Sequence, residues 1–376
     1  MNWQDNLEWA NSLLERIETK YNKIIERTKV DFFPYTVKDN HMVAYESDEN
    51  YDWWTNGFYP GILWKLHLQS RKAEYQALAE HYEDLLDQPL HSYEGLHHDV
   101  GFMWLTSAVA NYRITGNKQS KNRGLLAASV LASRYNIEGN FIRAWNGEEN
   151  TGWAIIDSMM NLPILYWASE ETKDPRFSYI AKRHADKVME NFIREDGSVR
   201  HIVSFDIKDG HMIKEFKGQG YSVGSAWTRG QAWAIYGFVL NYLHTKDERY
   251  LMTSKRVAHF FLTNLSVEKD GVPPCDFRSP KEPIYKDTTA GAIAACGLLE
   301  ISKLVPEYEK GIYLEGAIRI LKGIETNFCN WSLDTDSLVE YGTERYGKGT
   351  NIPIIYGDYY FIEALMKIRG NDILFW

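Results

Sequence analysis

Two aspartates stand where side-chain type and surroundings could do chemistry. Asp99 lies in His97-His98-Asp99-Val100-Gly101-Phe102, and Asp157 lies in Trp153-Ala-Ile-Ile-Asp157-Ser-Met-Met-Asn161-Leu-Pro163. A carboxylate set among aromatic and aliphatic side chains is disfavoured as an anion, so it tends to keep its proton near neutral pH. A pair with one member protonated and one ionised is what general acid/base chemistry on a sugar requires. The aromatic content, 13 Trp, 24 Tyr and 16 Phe, suits the same substrate class, because indole and phenol faces stack on sugar rings. Aromatic filling of a helical core is the plain alternative for any single ring.

The elements that must position these residues are helices. The helical period predicts twelve segments, near 3–28, 56–70, 72–88, 99–115, 117–134, 153–171, 175–194, 228–245, 247–265, 288–303, 308–327 and 357–369. Strand-like alternation is confined to 140–145 and 198–206. Every second helix is rich in Gly, Ala and aromatics with few charges, as in Ala232-Trp-Ala-Ile-Tyr-Gly-Phe238. The others carry a charged face, as in Tyr179-Ile-Ala-Lys-Arg-His-Ala-Asp-Lys187. Helices apolar all round are buried and one-sided helices are outer. The expected fold is therefore all-α, an (α/α)6 barrel of six helical hairpins filling residues 1–376 as one catalytic domain. A linear solenoid would need polar caps at both ends, and no such pair is visible.

In such a ring every inner helix starts at the same end. The starts carry Trp54 and Asn56, His98 and Asp99, Trp153 and Asp157, Trp227 and Arg229, Asp287 and Thr288, and Asp358. Helix capping is the first reading for Asp287 and Asp358. It suits Asp157 less, because Ile155 and Ile156 already read as helical before it.

Composition narrows the partners. A net charge of −9, from 42 basic against 51 acidic residues and without a basic block, argues against nucleic acid and acidic membranes. Cys275, Cys296 and Cys329 are scattered and odd in number, which fits neither a disulfide framework nor a zinc site. No signal-peptide pattern or stretch of about 18 apolar residues is evident, and a cytoplasmic enzyme is expected. A His97–His98 metal site is not expected, since adjacent side chains diverge on a helix.

Six segments carry a resemblance. Trp54-Thr-Asn-Gly-Phe58, His97-His-Asp-Val-Gly-Phe102, Ile156-Asp-Ser-Met-Met-Asn-Leu-Pro163, Ser225-Ala-Trp-Thr-Arg-Gly-Gln-Ala-Trp233, Ala295-Cys-Gly-Leu-Leu-Glu300 and Tyr356-Gly-Asp-Tyr-Tyr360 occur in register. Together they resemble unsaturated glucuronyl hydrolases, glycoside hydrolase family 88, over roughly residues 50–365. The resemblance implies an (α/α)6 barrel without a cofactor or catalytic metal. It also implies a substrate ending in a 4,5-unsaturated uronic acid, left by a polysaccharide lyase. Asp157 then matches the general acid/base and Asp99 the second, orienting carboxylate. Trp54, Trp145 and Trp233 match apolar or stacking walls, while His98, His201, Gln219 and Arg229 match polar substrate contacts. An ion pair of Arg229 with Asp157 or Asp287 is the plain alternative for that residue. Over 330–350 the match is loose, and Arg345 and Lys348 there read either as sulfate contacts or as a solvated basic loop.

Other functions remain open at this level. An unsaturated rhamnogalacturonyl hydrolase acting on pectin fragments shares the chemistry. A sugar 2-epimerase on the same barrel would need paired histidines, with His98 and His201 as candidates. A non-catalytic oligosaccharide-binding protein would use the tryptophans for grip alone.

Overall fold

Residues 3–370 and 373–376 are described in the structure, a computed structural model of the chain. In chain order the helices are α1 (Trp3–Arg27), α2 (Phe58–Ser70), α3 (Ala73–Leu85), α4 (Asp87–Ser92), α5 (Val100–Trp104), α6 (Ala110–Thr115) and α7 (Lys118–Ser133). They continue with α8 (Pro163–Thr172), α9 (Arg176–Phe192), α10 (Thr228–Thr245), α11 (Glu248–Leu265), α12 (Thr288–Leu304), α13 (Glu307–Phe328) and α14 (Ile355–Arg369). A π-helical turn over Leu105–Val109 joins α5 and α6 into one rod.

Burial separates two layers. Every residue of 228–241 in α10, 288–302 in α12 and 355–368 in α14 is buried. By contrast α9 buries only Phe177, Ala181, His184, Ala185, Val188 and Phe192, the stripe expected of an outer helix. The inner helices close a ring: α2 packs on the α5–α6 rod, α8 lies between the rod and α10, and α10, α12 and α14 follow, with α14 returning to α2. Each has an outer partner: α3 on α2, α7 on the rod, α9 on α8, α11 on α10, α13 on α12 and α1 on α14. This is the expected (α/α)6 barrel, with the inner helices all starting at one end.

The opposite end is filled. Trp376 stacks on Tyr360 with ring centroids 5.9 Å apart and planes at 9°, and its Nε1–H donates to Glu363 at 2.9 Å. Lys65 of α2 and Arg113 of α6 donate to the carbonyls of Ile373 and Leu374, which holds this segment in place. Phe102 lies 6.1 Å from Trp376 and 5.0 Å from Trp233, so aromatic packing is continuous up the barrel interior.

Several expectations change. The 153–171 segment is a strand over Trp153–Ile155, then a 3-10 turn over Ile156–Met160, then α8 entered through Pro163. Short apolar runs do not separate the two periods, and β-branched Ile155 and Ile156 suit a strand. Asp358 is not a cap: it lies inside α14, where its carboxylate accepts from the Val339 N–H and the Tyr21 hydroxyl. The small strands exceed the two predicted pieces. They are β1 (Thr36–Lys38), β2 (His41–Val43), β3 (Tyr135–Asn136), β4 (Phe141–Ile142), β5 (Trp153–Ile155), β6 (Ile202–Phe205) and β7 (Met212–Phe216). They form the antiparallel pairs β1–β2 and β3–β4 and the sheet β5–β6–β7. Among the described residues no helix is long and apolar enough to cross a membrane.

Close approach of the 3-10 turn Trp54–Gly57 to α5 depends on glycine. A Cβ on Gly57 would lie 2.3 Å from the Phe102 carbonyl oxygen and 2.6 Å from Met103 Cα, both backbone. We expect Gly57→Ala to destabilise the fold by roughly 1–3 kcal/mol in urea titrations, with a lowered Tm. Wild-type stability in that variant would contradict this packing.

Candidate active site

Asp99 stands at the N-terminal boundary of α5 but does not cap it. Its Oδ1 accepts from Asn161 Nδ2 at 3.0 Å, and its Oδ2 lies 3.4 Å from both His97 Nδ1 and His98 Nε2. Asp157 is the second residue of the 3-10 turn that leaves β5. That strand pairs with β6, with Ile155 opposite Ile202, and the Ile156 N–H donates to the His201 carbonyl at 3.1 Å. The sheet thus fixes the entry to the turn and the turn presents the carboxyl.

Asn161 couples the two segments. Its amide nitrogen also reaches the Asp157 carbonyl at 3.1 Å, and its Oδ1 accepts from the Phe102 N–H at 2.8 Å. A side chain at position 101 would put Cβ 2.5 Å from Asn161 Cα, so Gly101 is what lets the clasp close. The amide therefore partners Asp99, not the carboxylate of Asp157.

Both aspartates line one cavity of about 1010 Å³, including its mouth. Of the expected contacts, Trp54, His98, Trp145, Gln219 and Arg229 also line it. His201 does not, although its Nε2 lies 3.8 Å from Asp157 Oδ1, behind the wall. Trp233 is a correction. It is fully buried and packs on Phe102 and Tyr360, because position 233 falls on the second turn of α10, facing the filled interior.

Arg229 is buried and already occupied. Its guanidinium donates to Asp287 at 3.0 Å and to the carbonyls of Thr343 and Glu344 at 2.6 and 2.7 Å. The ion pair with Asp287 is the plain alternative stated above, so a free fork for an incoming carboxylate is not present. Asp287 also caps α12, accepting from the Ala290 N–H at 3.3 Å. Gln219 is held in turn, its side chain donating to the Glu344 carbonyl at 2.9 Å.

Several wall residues had no sequence signal of their own. Tyr45 and Trp53 stack at 3.7 Å with planes 5° apart, and Tyr35 donates its hydroxyl to Glu344 at 2.6 Å. All four line the cavity, as do Tyr356 and the exposed Arg345, whereas Lys348 does not. Tyr356 opens one of the quoted motifs and Trp53 stands beside another, which is the one hint available.

Burial dominates the electrostatics. It raises the pKa of Asp157 to about 7, against a lowering pull from Arg229. Burial raises Asp99 well above the carboxylate range too, with further elevation from the Asp157 charge. Two such groups titrate as a pair, and the pair retains at least one proton near neutral pH. The imidazoles are pushed the other way by burial, His97 to about 4 and His201 to about 3, so they stay neutral.

His97, His98 and Asp99 offer ligand atoms all within 4.8 Å of one another. They precede α5 instead of lying on it, so the divergence expected of adjacent helical residues does not apply; the rings are 5.7 Å apart and tilted by 37°. However, His97 Nδ1 already accepts from the Asp99 N–H at 3.4 Å. Asn161 is the side-chain donor to the Asp99 carboxylate, and the two imidazoles lie 3.4 Å from its other oxygen.

Comparison with known proteins points one way. The model for Glycosyl Hydrolase Family 88 matches residues 28–259. The unsaturated glucuronyl hydrolase of Bacillus sp. (strain GL1) is 35% identical, the alignment covering 92% of this chain and 93% of that protein. Its crystal structure superposes with a TM-score of 0.87 over 98% of this chain and 97% of that one. The unsaturated chondroitin disaccharide hydrolase of Streptococcus pyogenes serotype M1 is 33% identical over 93% of this chain and 88% of its own length. A Streptococcus agalactiae unsaturated glucuronyl hydrolase variant, solved with dGlcA-GalNAc6S, is 28% identical with a TM-score of 0.83, over 98% of this chain and 93% of that one.

The raised Asp157 pKa has a sign that can be checked. The folded state binds this proton more tightly than the unfolded chain, so its contribution to stability is lost as pH rises from about 4 to about 7. We expect Asp157→Asn to gain on wild type across that window, by at most about 1.4 kcal/mol per pH unit, in denaturant titrations at several pH values. A difference independent of pH would show that Asp157 ionises normally.

Proposed function

The chain belongs to glycosyl hydrolase family 88, and from that membership we propose that it removes a 4,5-unsaturated uronic acid from the non-reducing end of lyase-generated glycosaminoglycan-type oligosaccharides. The observation that carries this reading is the pair of elevated carboxyls, Asp99 and Asp157, sharing one aromatic-walled cavity. Family membership alone makes the protein a glycoside hydrolase; the substrate and residue roles belong to the proposal.

The unsaturated ring is a vinyl ether, which selects the chemistry. The Asp157 carboxyl protonates C4 of the double bond, and positive charge develops at C5, shared with the ring oxygen. Water adds at C5 and its proton returns to the Asp157 carboxylate, so acid and base are the same group. The resulting hemiketal opens to a C5 ketone and frees the hydroxyl at C1. The C1 hemiacetal then expels the remaining sugar as an alcohol, leaving an aldehyde. Because no displacement occurs at the anomeric carbon, the carboxylate-spacing rule for retention or inversion has no bearing.

The other residues take supporting parts. Asp99, held by Asn161 and flanked by neutral His97 and His98, orients the sugar through hydrogen bonds and stabilises positive charge. Trp54 and Trp145 provide stacking faces. Arg229 acts as a fixed positive charge, and Arg345 brings an exposed cation to the rim for the uronate or for anionic groups on the leaving sugar. The uronate itself adds a negative charge beside Asp157 and further favours its protonated form.

A 2-epimerase fits less well. Its acid and base would be His98 and His201, yet His201 lies behind the wall and burial holds both imidazoles neutral. Family membership also weighs against a purely binding role.

With unsaturated chondroitin, hyaluronan, heparin and pectin disaccharides, loss of alkene absorbance should occur on one or more glycosaminoglycan members. Asp157→Asn should fold normally and lose roughly 10²–10⁴-fold in kcat. Near-normal turnover by that variant, or turnover of the pectin disaccharide alone, would refute the assignment. Wild-type kcat should fall as pH rises past the pair's upper ionisation, because the acid form does the work.

A further inference from the structure

We infer that His184, outside the cavity, is a positioning residue that acts with Ser158 to lock the turn aiming Asp157. The inference rests on Asp157 being the proton donor.

The carboxyl of Asp157 is poorly tethered. Its Oδ1 is buried without a hydrogen-bond partner, and His201 Nε2 approaches no closer than 3.8 Å. Its aim must come from the backbone of the 3-10 turn. That turn is held by a buried relay: the Ile142 N–H of β4 donates to His184 Nδ1 at 2.9 Å, and His184 Nε2 lies 2.7 Å from Ser158 Oγ. Ser158 Oγ in turn donates to the Ile155 carbonyl at 2.6 Å. His184 and Ser158 are 0% and 1% exposed, so water does not substitute for these partners.

The direction of every link is forced. A backbone N–H only donates, so Nδ1 carries the lone pair and the neutral ring holds its proton on Nε2. That proton goes to Ser158 Oγ, whose own hydrogen is then committed to the Ile155 carbonyl. Burial keeps the ring neutral, its pKa lowered to about 3. The relay thus ties β4, α9 and the end of β5 to Ser158, the residue after Asp157. Breaking it leaves buried groups unpaired and frees the turn. Substrate grip resides elsewhere, on Trp54, Trp145 and the rim, so the loss should fall on the chemical step.

The test uses the full-length protein and the unsaturated disaccharide that wild type turns over. Ser158→Ala and His184→Leu are expected to lose about tenfold or more in kcat, with KM within about twofold of wild type and the high-pH limb of kcat displaced. His184→Gln, whose amide can accept from Ile142 and donate to Ser158, should recover much of the loss. Unchanged kcat and pH profile in Ser158→Ala, even with a lowered Tm, would overturn the inference. So would equal losses in the Gln and Leu variants of His184. Should His184→Leu fail to fold, Ser158→Ala and His184→Gln decide the matter. In ¹⁵N-histidine spectra of wild type, His184 should carry its proton on Nε2; an Nδ1–H signal would break the relay whatever the substrate. Activity in Asp157→Asn refutes the proposed function, whereas an inactive Asp157→Asn beside a normal Ser158→Ala refutes this inference alone.

Discussion

The arrangement depends on one buried amide. Asn161 spends its nitrogen on the Asp99 carboxylate and the Asp157 carbonyl, and its oxygen on the first turn of α5. The two aspartates lie 58 residues apart, on the segments that lead into different inner helices. A six-hairpin ring alone brings helix starts only to the same rim. Holding the two segments together takes a short, rigid connector whose donors and acceptor are all satisfied. Asn161 meets that need, and the absence of a side chain at 101 leaves room for it.

How much of this was legible follows from where each feature is encoded. The layers of the barrel were readable because α10, α12 and α14 are apolar all round while α9 has a stripe, a difference visible residue by residue. The backbone at Asp157 was not. Trp153 to Met160 is short and apolar, and only pairing with β6, distant in sequence, makes its first half a strand. Trp233 misled for a related reason. Its motif neighbours Trp227 and Arg229 stand at the start of α10, but one more turn carries the indole below the cavity into the core. The wall made by Tyr35, Tyr45, Trp53 and Glu344 comes from connecting segments that lack a period to read.

Charge is managed locally against the overall balance. The chain is acidic and three carboxyl side chains, Asp99, Asp157 and Glu344, line its cavity, yet the proposed substrate is an anion. The cavity answers with an aspartate pair that keeps at least one proton and with neutral imidazoles, both produced by burial, and with Arg229 fixed between Asp287 and two carbonyls. An arginine so committed cannot follow a ligand. It supplies a constant field, and a constant field is what keeps the Asp157 proton from being held too tightly to give away.

The aromatic filling that runs from Phe102 through Trp233 to Trp376 makes the cavity a blind pit. Among the described residues this filling closes the far side, so whatever enters leaves by the same opening. A long polymer cannot be gripped in its middle there or fed along from one cut to the next. For the substrate proposed above, a chain end enters and both products leave by that one opening. Short fragments, whose many termini diffuse freely, suit a cavity closed at its far side.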